Sequence, residues 1–399
     1  MKKDARLLRI GILGCGPIAQ IAHFDACRKA RNAELYAVCD VAEDLLSKAK
    51  AVHELRVSYP RYDDMLADPQ VEAVIIAVAD QFHMSLALQA VAAGKHVLVE
   101  KPLGVSVEEC EELRRALQVR AGFPPAVGLS SSGLRPGESK QEKPVADNMS
   151  NSAGWELAPP PQKLVFQIGH NRRFDPGVAF ARKFIQEELG QMLALKAWYC
   201  DSTHRYTMTD NLQSIRWSSS RTRRPDGNPK ADKRRYFLLT HGSHLVDSAR
   251  FLGGEMVSVR ARLSETFGAF CWFVEIEFAN GALGHLDLTI PICGDFEEGF
   301  QIYGEHGSVK GHGYLPWYHK ASAVECFSEK DRTYRRPLGE DAHTYKRQIE
   351  GFVDTILHGK PQLGANIDDG LAAMRALVAI ARSVESGSVV RLDKVQGGV

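Results

Sequence analysis

Leu7-Leu8-Arg9-Ile10-Gly11-Ile12-Leu13-Gly14-Cys15-Gly16-Pro17-Ile18-Ala19 is the stretch whose reading decides the fold. A short apolar strand, Leu7 to Leu13, runs into a glycine-rich turn, and a helix over Ile18 to Ala30 leaves it. Gly14 permits the tight turn, and Gly16 lets backbone amides approach a pyrophosphate. Ala19 holds the third position, where a small residue lets helix and strand pack closely. Phosphates held there meet the positive end of the helix dipole. The next strand, Glu34 to Cys39, ends on Asp40. A carboxylate at that point accepts hydrogen bonds from a ribose diol and repels a 2′-phosphate. No lysine or arginine follows until Lys48, so NAD is favoured over NADP.

Outward from this turn the pattern repeats. Val71 to Val78 reads as a strand, Ser85 to Ala93 as a helix stopped by Gly94, and Val97 to Val99 as a further strand. Such alternation up to Val107 argues for a parallel sheet with right-handed crossovers. Glu100-Lys101-Pro102 follows that last strand. A lysine at the carboxyl end of a buried parallel strand faces the crevice where doubly wound sheets bind their ligands. Nucleotide turn and lysine together suggest an ammonium group aimed at a reacting centre.

The chain has 399 residues, enough for two domains with proper cores. Its 50 lysines and arginines balance 49 acids, which leaves no global field to attract nucleic acid or an anionic membrane. Eight cysteines are scattered without a CxxC pair, so neither a zinc site nor a disulfide framework is expected. Met1-Lys2-Lys3 imitates the start of a signal peptide, but Asp4, Arg6 and Arg9 interrupt the pattern. We read no export signal and no membrane span, and expect a cytoplasmic protein.

Longer strings extend the comparison. Beyond the GCGPIA turn at 14–19 the chain carries His83 ahead of a helix, GKHVLVEKPL at 94–103 and QIGHNRRFDP at 167–176. HGSHLVDSARFLGG at 241–254, FQIYGEHGSVKG at 300–311 and Asp368-Asp369-Gly370 follow in order. In these motifs the sequence resembles the Gfo/Idh/MocA oxidoreductases, the family of glucose–fructose oxidoreductase and inositol dehydrogenase. The resemblance implies an α/β protein. Residues 1–171 would form an NAD(P)-binding Rossmann domain. Residues 172–399 would form an α/β domain with an open, mostly antiparallel sheet that binds substrate and supports a homodimer or homotetramer. It implies catalytic roles for Lys101 and His244 beside the substrate carbon and the nicotinamide. The candidate cofactor set is Gly14, Gly16, Pro17, Ile18, Ala19, Asp40, Ala79, His83, Glu100, Lys101 and Arg172. The candidate substrate set is Lys101, Asp201, His204, Thr240, His241 and His244, and no metal is expected. One departure concerns the family's frequent aspartate four residues before the histidine, because Thr240 stands there. Threonine can hydrogen-bond but cannot stabilise an imidazolium by charge; His241 and Asp201 are the candidates to compensate. The loop Ala79-Asp80-Gln81 likewise replaces a threonine–proline or similar pair.

Residues 121–163 break the strand–helix rhythm and are rich in proline, glycine and serine, including Pro159-Pro160-Pro161. They are expected to form a disordered or loosely held insertion between a helix over Ser106 to Val119 and a strand over Leu164 to Ile168. In the second half, Val178 to Leu189 reads as a helix and Leu193 to Cys200 as a strand. Met256 to Leu263, Cys271 to Phe278 and Ala282 to Ile290 follow as strands, with Asn280-Gly281 as a hairpin turn. Phe300 to Tyr303 and Ser308 to Lys310 continue the sheet, and Tyr345 to His358 and Gly370 to Ser386 are amphipathic helices. The basic run from Arg216 to Arg235 reads either as a solvated loop or as a flap or subunit contact near the site.

The chemistry these residues suit is oxidation of a secondary alcohol. Lys101 would stabilise the developing alkoxide. His244, with an unperturbed pKa of about 6.5, would take the hydroxyl proton. Asp201 or His204 would hold a substrate hydroxyl. The first expectation is therefore an NAD-dependent dehydrogenase of a sugar, sugar derivative or inositol. The alternatives are a ketoreductase on a nucleotide-linked sugar, glycoside cleavage through transient oxidation, and a catalytically silent NAD-binding regulator.

Overall fold

The protein is described by a computed structural model covering residues 6–122, 163–202, 217–221 and 231–399. Six strands form the first sheet: β1 (Leu8–Leu13), β2 (Ala33–Cys39), β3 (Val57–Tyr59), β4 (Ala73–Ile76), β5 (His96–Val99) and β6 (Phe166–Ile168). Every pairing is parallel, in the order β3-β2-β1-β4-β5-β6. Ile10, Ile12, Ile75, Ile76 and Leu98 are fully buried, as central strands covered by helices on both faces require. The strand order reverses between β1 and β4, and the carboxyl ends of these two strands open a crevice there. The helix leaving β1 opens with a π turn over Ala19–His23 and continues as Phe24–Lys29.

Helix Val107–Arg120 starts where Ser106 Oγ accepts the Glu109 N–H at 3.3 Å. The expected insertion at 121–163 lies, apart from its first two residues and its last, outside the described residues. The chain re-enters as β6 and then as helix Pro176–Glu187, whose cap explains the FDP of the sequence. Asp175 Oδ1 accepts the Gly177 and Val178 N–H groups at 2.8 and 3.1 Å, and Pro176 supplies a preset first turn.

The second sheet contains β7 (Met192–Ser202), β8 (Met256–Thr266), β9 (Ala269–Phe278), β10 (Leu283–Ile292), β11 (Glu297–Gly304), β12 (Gly307–Gly313), β13 (Ala323–Ser328), β14 (Thr333–Arg335) and β15 (Val390–Arg391). Their order is β14-β13-β12-β11-β7-β10-β9-β8-β15, antiparallel except for the β7–β10 pair. β9 shows why one face is covered. Phe270, Trp272, Val274, Ile276 and Phe278 are buried, while Phe273, Glu275 and Glu277 point outward. The covering layer includes helices Gly242–Gly253 and Ile367–Ser386. Asn280-Gly281 makes the expected hairpin: Gly281 has φ +83° and Asn280 Oδ1 accepts the Ala282 N–H at 3.1 Å. Helix Thr344–His358 does not stay with this sheet. Its Tyr345, Ile349, Phe352 and Val353 pack with Ile10, Phe24 and Leu98 in the core of the first. No helix among the described residues is long and apolar enough to cross a membrane.

Candidate active site

At the mouth of β1 the glycine turn is built by close approach. Gly14 has φ +98° and donates its N–H to Cys39 O at 2.8 Å, and a Cβ there would sit 2.5 Å from Ala77 O. Gly16 is the opposite case, with no atom within 4 Å of an added Cβ, so its outer side is free for a bound group. Ala19 is fully buried, Ile18 is half-buried and Pro17 is exposed. Asp40 Oδ2 accepts the Cys15 N–H at 2.7 Å, and Oδ1 accepts the Ala42 N–H at 2.8 Å. The carboxylate therefore braces the turn from the end of β2, where the sequence expects a ribose acceptor. A tight glycine turn, open space beside it and an acid at the edge fit a dinucleotide. Ala79 lies exposed in the loop after β4.

Below the turn lies a cleft of about 270 Å³ whose lining includes Ile18, Lys101, Tyr199, His241, His244 and Trp317. Lys101 comes from the end of β5 and His244 from the first turn of helix Gly242–Gly253, so one residue from each half of the chain faces the other. Lys101 Nζ donates to Thr240 O at 3.2 Å. Thr240 thus meets the lysine through its carbonyl; its hydroxyl is turned back along helix Lys233–Thr240 and donates to Tyr236 O at 2.7 Å. The hydroxyl that the sequence offered to substrate is already engaged. His244 Nδ1 is shut off from water without a hydrogen-bond partner. Burial, followed by the charges of Lys101, His170, Arg172 and His241, holds the His244 imidazole well below its usual pKa. The ring is therefore neutral at pH 7 and able to accept a proton.

An acid does reach this region, from a different element. Asp201, buried near the end of β7, places Oδ2 3.6 Å from His241 Nδ1. Tyr199 OH lies 3.4 Å from the same nitrogen, and its ring is nearly parallel to that of His244 at 6.1 Å between centroids. His204 lies outside the described residues.

Several other sequence candidates hold the scaffold around the cleft. Glu100 is buried and pairs with His23 Nε2 at 2.8 Å. Burial pushes its carboxyl up, but the His23 hydrogen bond and the charges of His23, Lys101 and His83 outweigh this and hold it below the usual range. His83 Nδ1 lies 2.7 Å from Pro102 O and Nε2 3.2 Å from Val78 O, tying the lysine loop to the end of β4. Arg172 pairs with the buried Glu298 and donates to Tyr314 O at 2.6 Å, so it lines the cleft with its guanidinium already held. Arg173 grips Asp247 through Nε at 2.9 Å and Nη2 at 2.6 Å, and reaches Asp369 at 3.0 Å. That pair fixes the helix carrying His244 against the 171–174 turn. Sequence reasoning did not single out His23, His170 or Tyr199. His170 sits in the quoted HNRRF string, with its ring 6.2 Å from that of His244; only the folding of that string against the helix brings them together.

Comparison with known proteins agrees with this arrangement. Residues 8–121 match the model of an oxidoreductase family NAD-binding Rossmann fold, and residues 197–392 match that family's C-terminal alpha/beta domain. A myo-inositol 2-dehydrogenase of Thermotoga maritima is 22% identical over 403 residues, covering 98% of this chain and 100% of the relative. An inositol 2-dehydrogenase of Rubrobacter xylanophilus is 24% identical over 410 residues, covering 99% of this chain and 96% of the relative. Among solved structures, levoglucosan dehydrogenase in complex with NADH superposes with a TM-score of 0.70 at 20% identity, covering 98% of this chain and all of that one.

Proposed function

We propose that this chain, which belongs to the Gfo/Idh/MocA oxidoreductase family, oxidises a ring carbinol of an inositol, sugar or sugar derivative with NAD. The observation that carries the reading is the meeting of Lys101 and a neutral His244 in one cleft beside the glycine turn. Bound NAD would supply the hydride acceptor for the carbinol carbon. Lys101 stabilises the oxygen as negative charge develops on it. His244 takes the hydroxyl proton, a role suited to an imidazole that is uncharged at working pH. His241, with Asp201 behind it, offers a ring nitrogen to a neighbouring hydroxyl, and Tyr199 and Trp317 give the cleft aromatic walls. Relatives named for inositol and levoglucosan support a cyclic polyol as substrate.

The test is NADH formation across inositols, aldoses, sugar acids and glycosides. Turnover on one class of ring polyol is expected. NAD binding without turnover on any of them, in either direction, would overturn the reading.

Coenzyme choice rests on Asp40. Asp40→Asn removes the charge and keeps one oxygen, which serves one of the two loop amides of Cys15 and Ala42. We expect the KM for NAD to rise about tenfold, the loss of one good charge-assisted hydrogen bond, while NADP gains relative to NAD. An unchanged NAD/NADP ratio would remove Asp40 from the ribose site.

A further inference from the structure

A second groove, of about 580 Å³, shares no lining residue with the Lys101 cleft. Its walls include Arg173, Arg182, Arg250, Gln186, Gln191 and Asn280. Arg182, on helix Pro176–Glu187, lays its guanidinium over the Phe251 ring at 3.8 Å from the centroid. Stacking satisfies the face of a guanidinium and leaves its edge, with five N–H donors in a fixed fork, for an acceptor. No hydrogen bond or ion pair fills that edge among the described residues. The acids on the rim are taken: Asp369 by Arg173 and Arg250, and Glu255 by Arg250. Arg250 itself is 6% exposed, and its Nε is buried with no acceptor. Burial and the neighbouring Arg173 charge also lower the Arg182 pKa, a sign that its positive charge is poorly compensated. Three guanidiniums, Arg173, Arg182 and Arg250, meet Asp369 and Glu255 on the rim and Asp247 behind Arg173, so the donor left open is the edge of Arg182.

We propose that this groove binds a small oxyanion, a carboxylate or a phosphate group, centred on the edge of Arg182. A two-oxygen acceptor would pair with the guanidinium fork, and the amides of Gln186 and Gln191 are close enough to line the same space. The proposal is independent of the dehydrogenase reading.

Isothermal titration of the full chain, with NAD present at saturation so that the glycine turn is occupied, would use inorganic phosphate and citrate separately at constant ionic strength. We expect at least one to bind, Arg182→Gln to weaken it about tenfold or more, and Arg182→Lys to fall between. Phosphate binding alone identifies a phosphoryl site, and citrate binding alone a carboxylate site. A thermal melt in chloride separates a ligand role from a structural one. Arg182→Gln also gives up the stack on Phe251, so its Tm is compared with and without the anion, and it should lose the rise in Tm that the bound anion gives the parent. Absence of binding by both anions, or binding equal in parent and Arg182→Gln, would overturn the proposal.

Discussion

Replacing Lys101 by methionine is expected to lower kcat by about 10²- to 10³-fold, the scale of removing one preorganised group from a developing oxyanion. Coenzyme affinity should stay within about threefold, because the turn proposed to hold the pyrophosphate, Gly14 to Ala19, follows another strand. Methionine keeps most of the lysine stem, so packing between Thr240 and the end of β5 is largely preserved. The split between kcat and coenzyme binding is the informative readout. Interactions made only in the transition state appear in kcat, whereas uniform binding appears in KM. Wild-type turnover in Lys101→Met would remove the lysine from the chemistry, and equal losses in turnover and NAD affinity would make it a ribose anchor instead.

Replacing His244 by glutamine should reduce kcat/KM by roughly 10²- to 10⁴-fold, the usual contribution of a positioned base. The pH dependence gives a sharper test. In the proposed reaction His244 works as the uncharged ring, and its pKa in the folded protein is held well below 6.5 by burial and by Lys101. Wild-type activity should therefore persist below pH 6.5 and fall only as the lowered pKa is reached; the variant should lack that acid limb. Stability carries the same sign. Between the unfolded value near 6.5 and the lower folded value the unfolded chain binds more protons, so stability rises with pH in that window and is lost as pH falls. His244→Gln should flatten this part of the Tm–pH curve, a measurement that needs no substrate. An unchanged acid limb in the variant would assign the base elsewhere, with the Asp201–His241 pair next in line.

The departure at Thr240 shows where sequence reading stops. A threonine in place of an acid indicates that the imidazole lacks its usual charged neighbour four residues before it. It does not indicate that the hydroxyl is spent on Tyr236 O, nor that the carbonyl meets Lys101. Nor does it show that Asp201, thirty-nine positions earlier in the numbering, stands 3.6 Å from His241.

The first domain was legible because its determinants are local. An apolar strand, a glycine that must adopt φ +98° and an acid at the end of the next strand each act within a few residues of themselves. The alternation of β9 and the Asn280-Gly281 turn were legible for the same reason, since a period of two and a two-residue turn are properties of short segments. Other features depend on the tertiary structure. Helix Thr344–His358 shows its apolar face in the sequence, but only the fold assigns that face to the first sheet, next to Phe24 and Leu98. The Arg173–Asp247 grip joins residues 74 positions apart and sets the helix that presents His244. Periodicity fixes which side chains are buried together along one element. Which elements then meet, and which carboxylate ends beside which imidazole, is settled by long-range packing and charge pairing that no local pattern encodes.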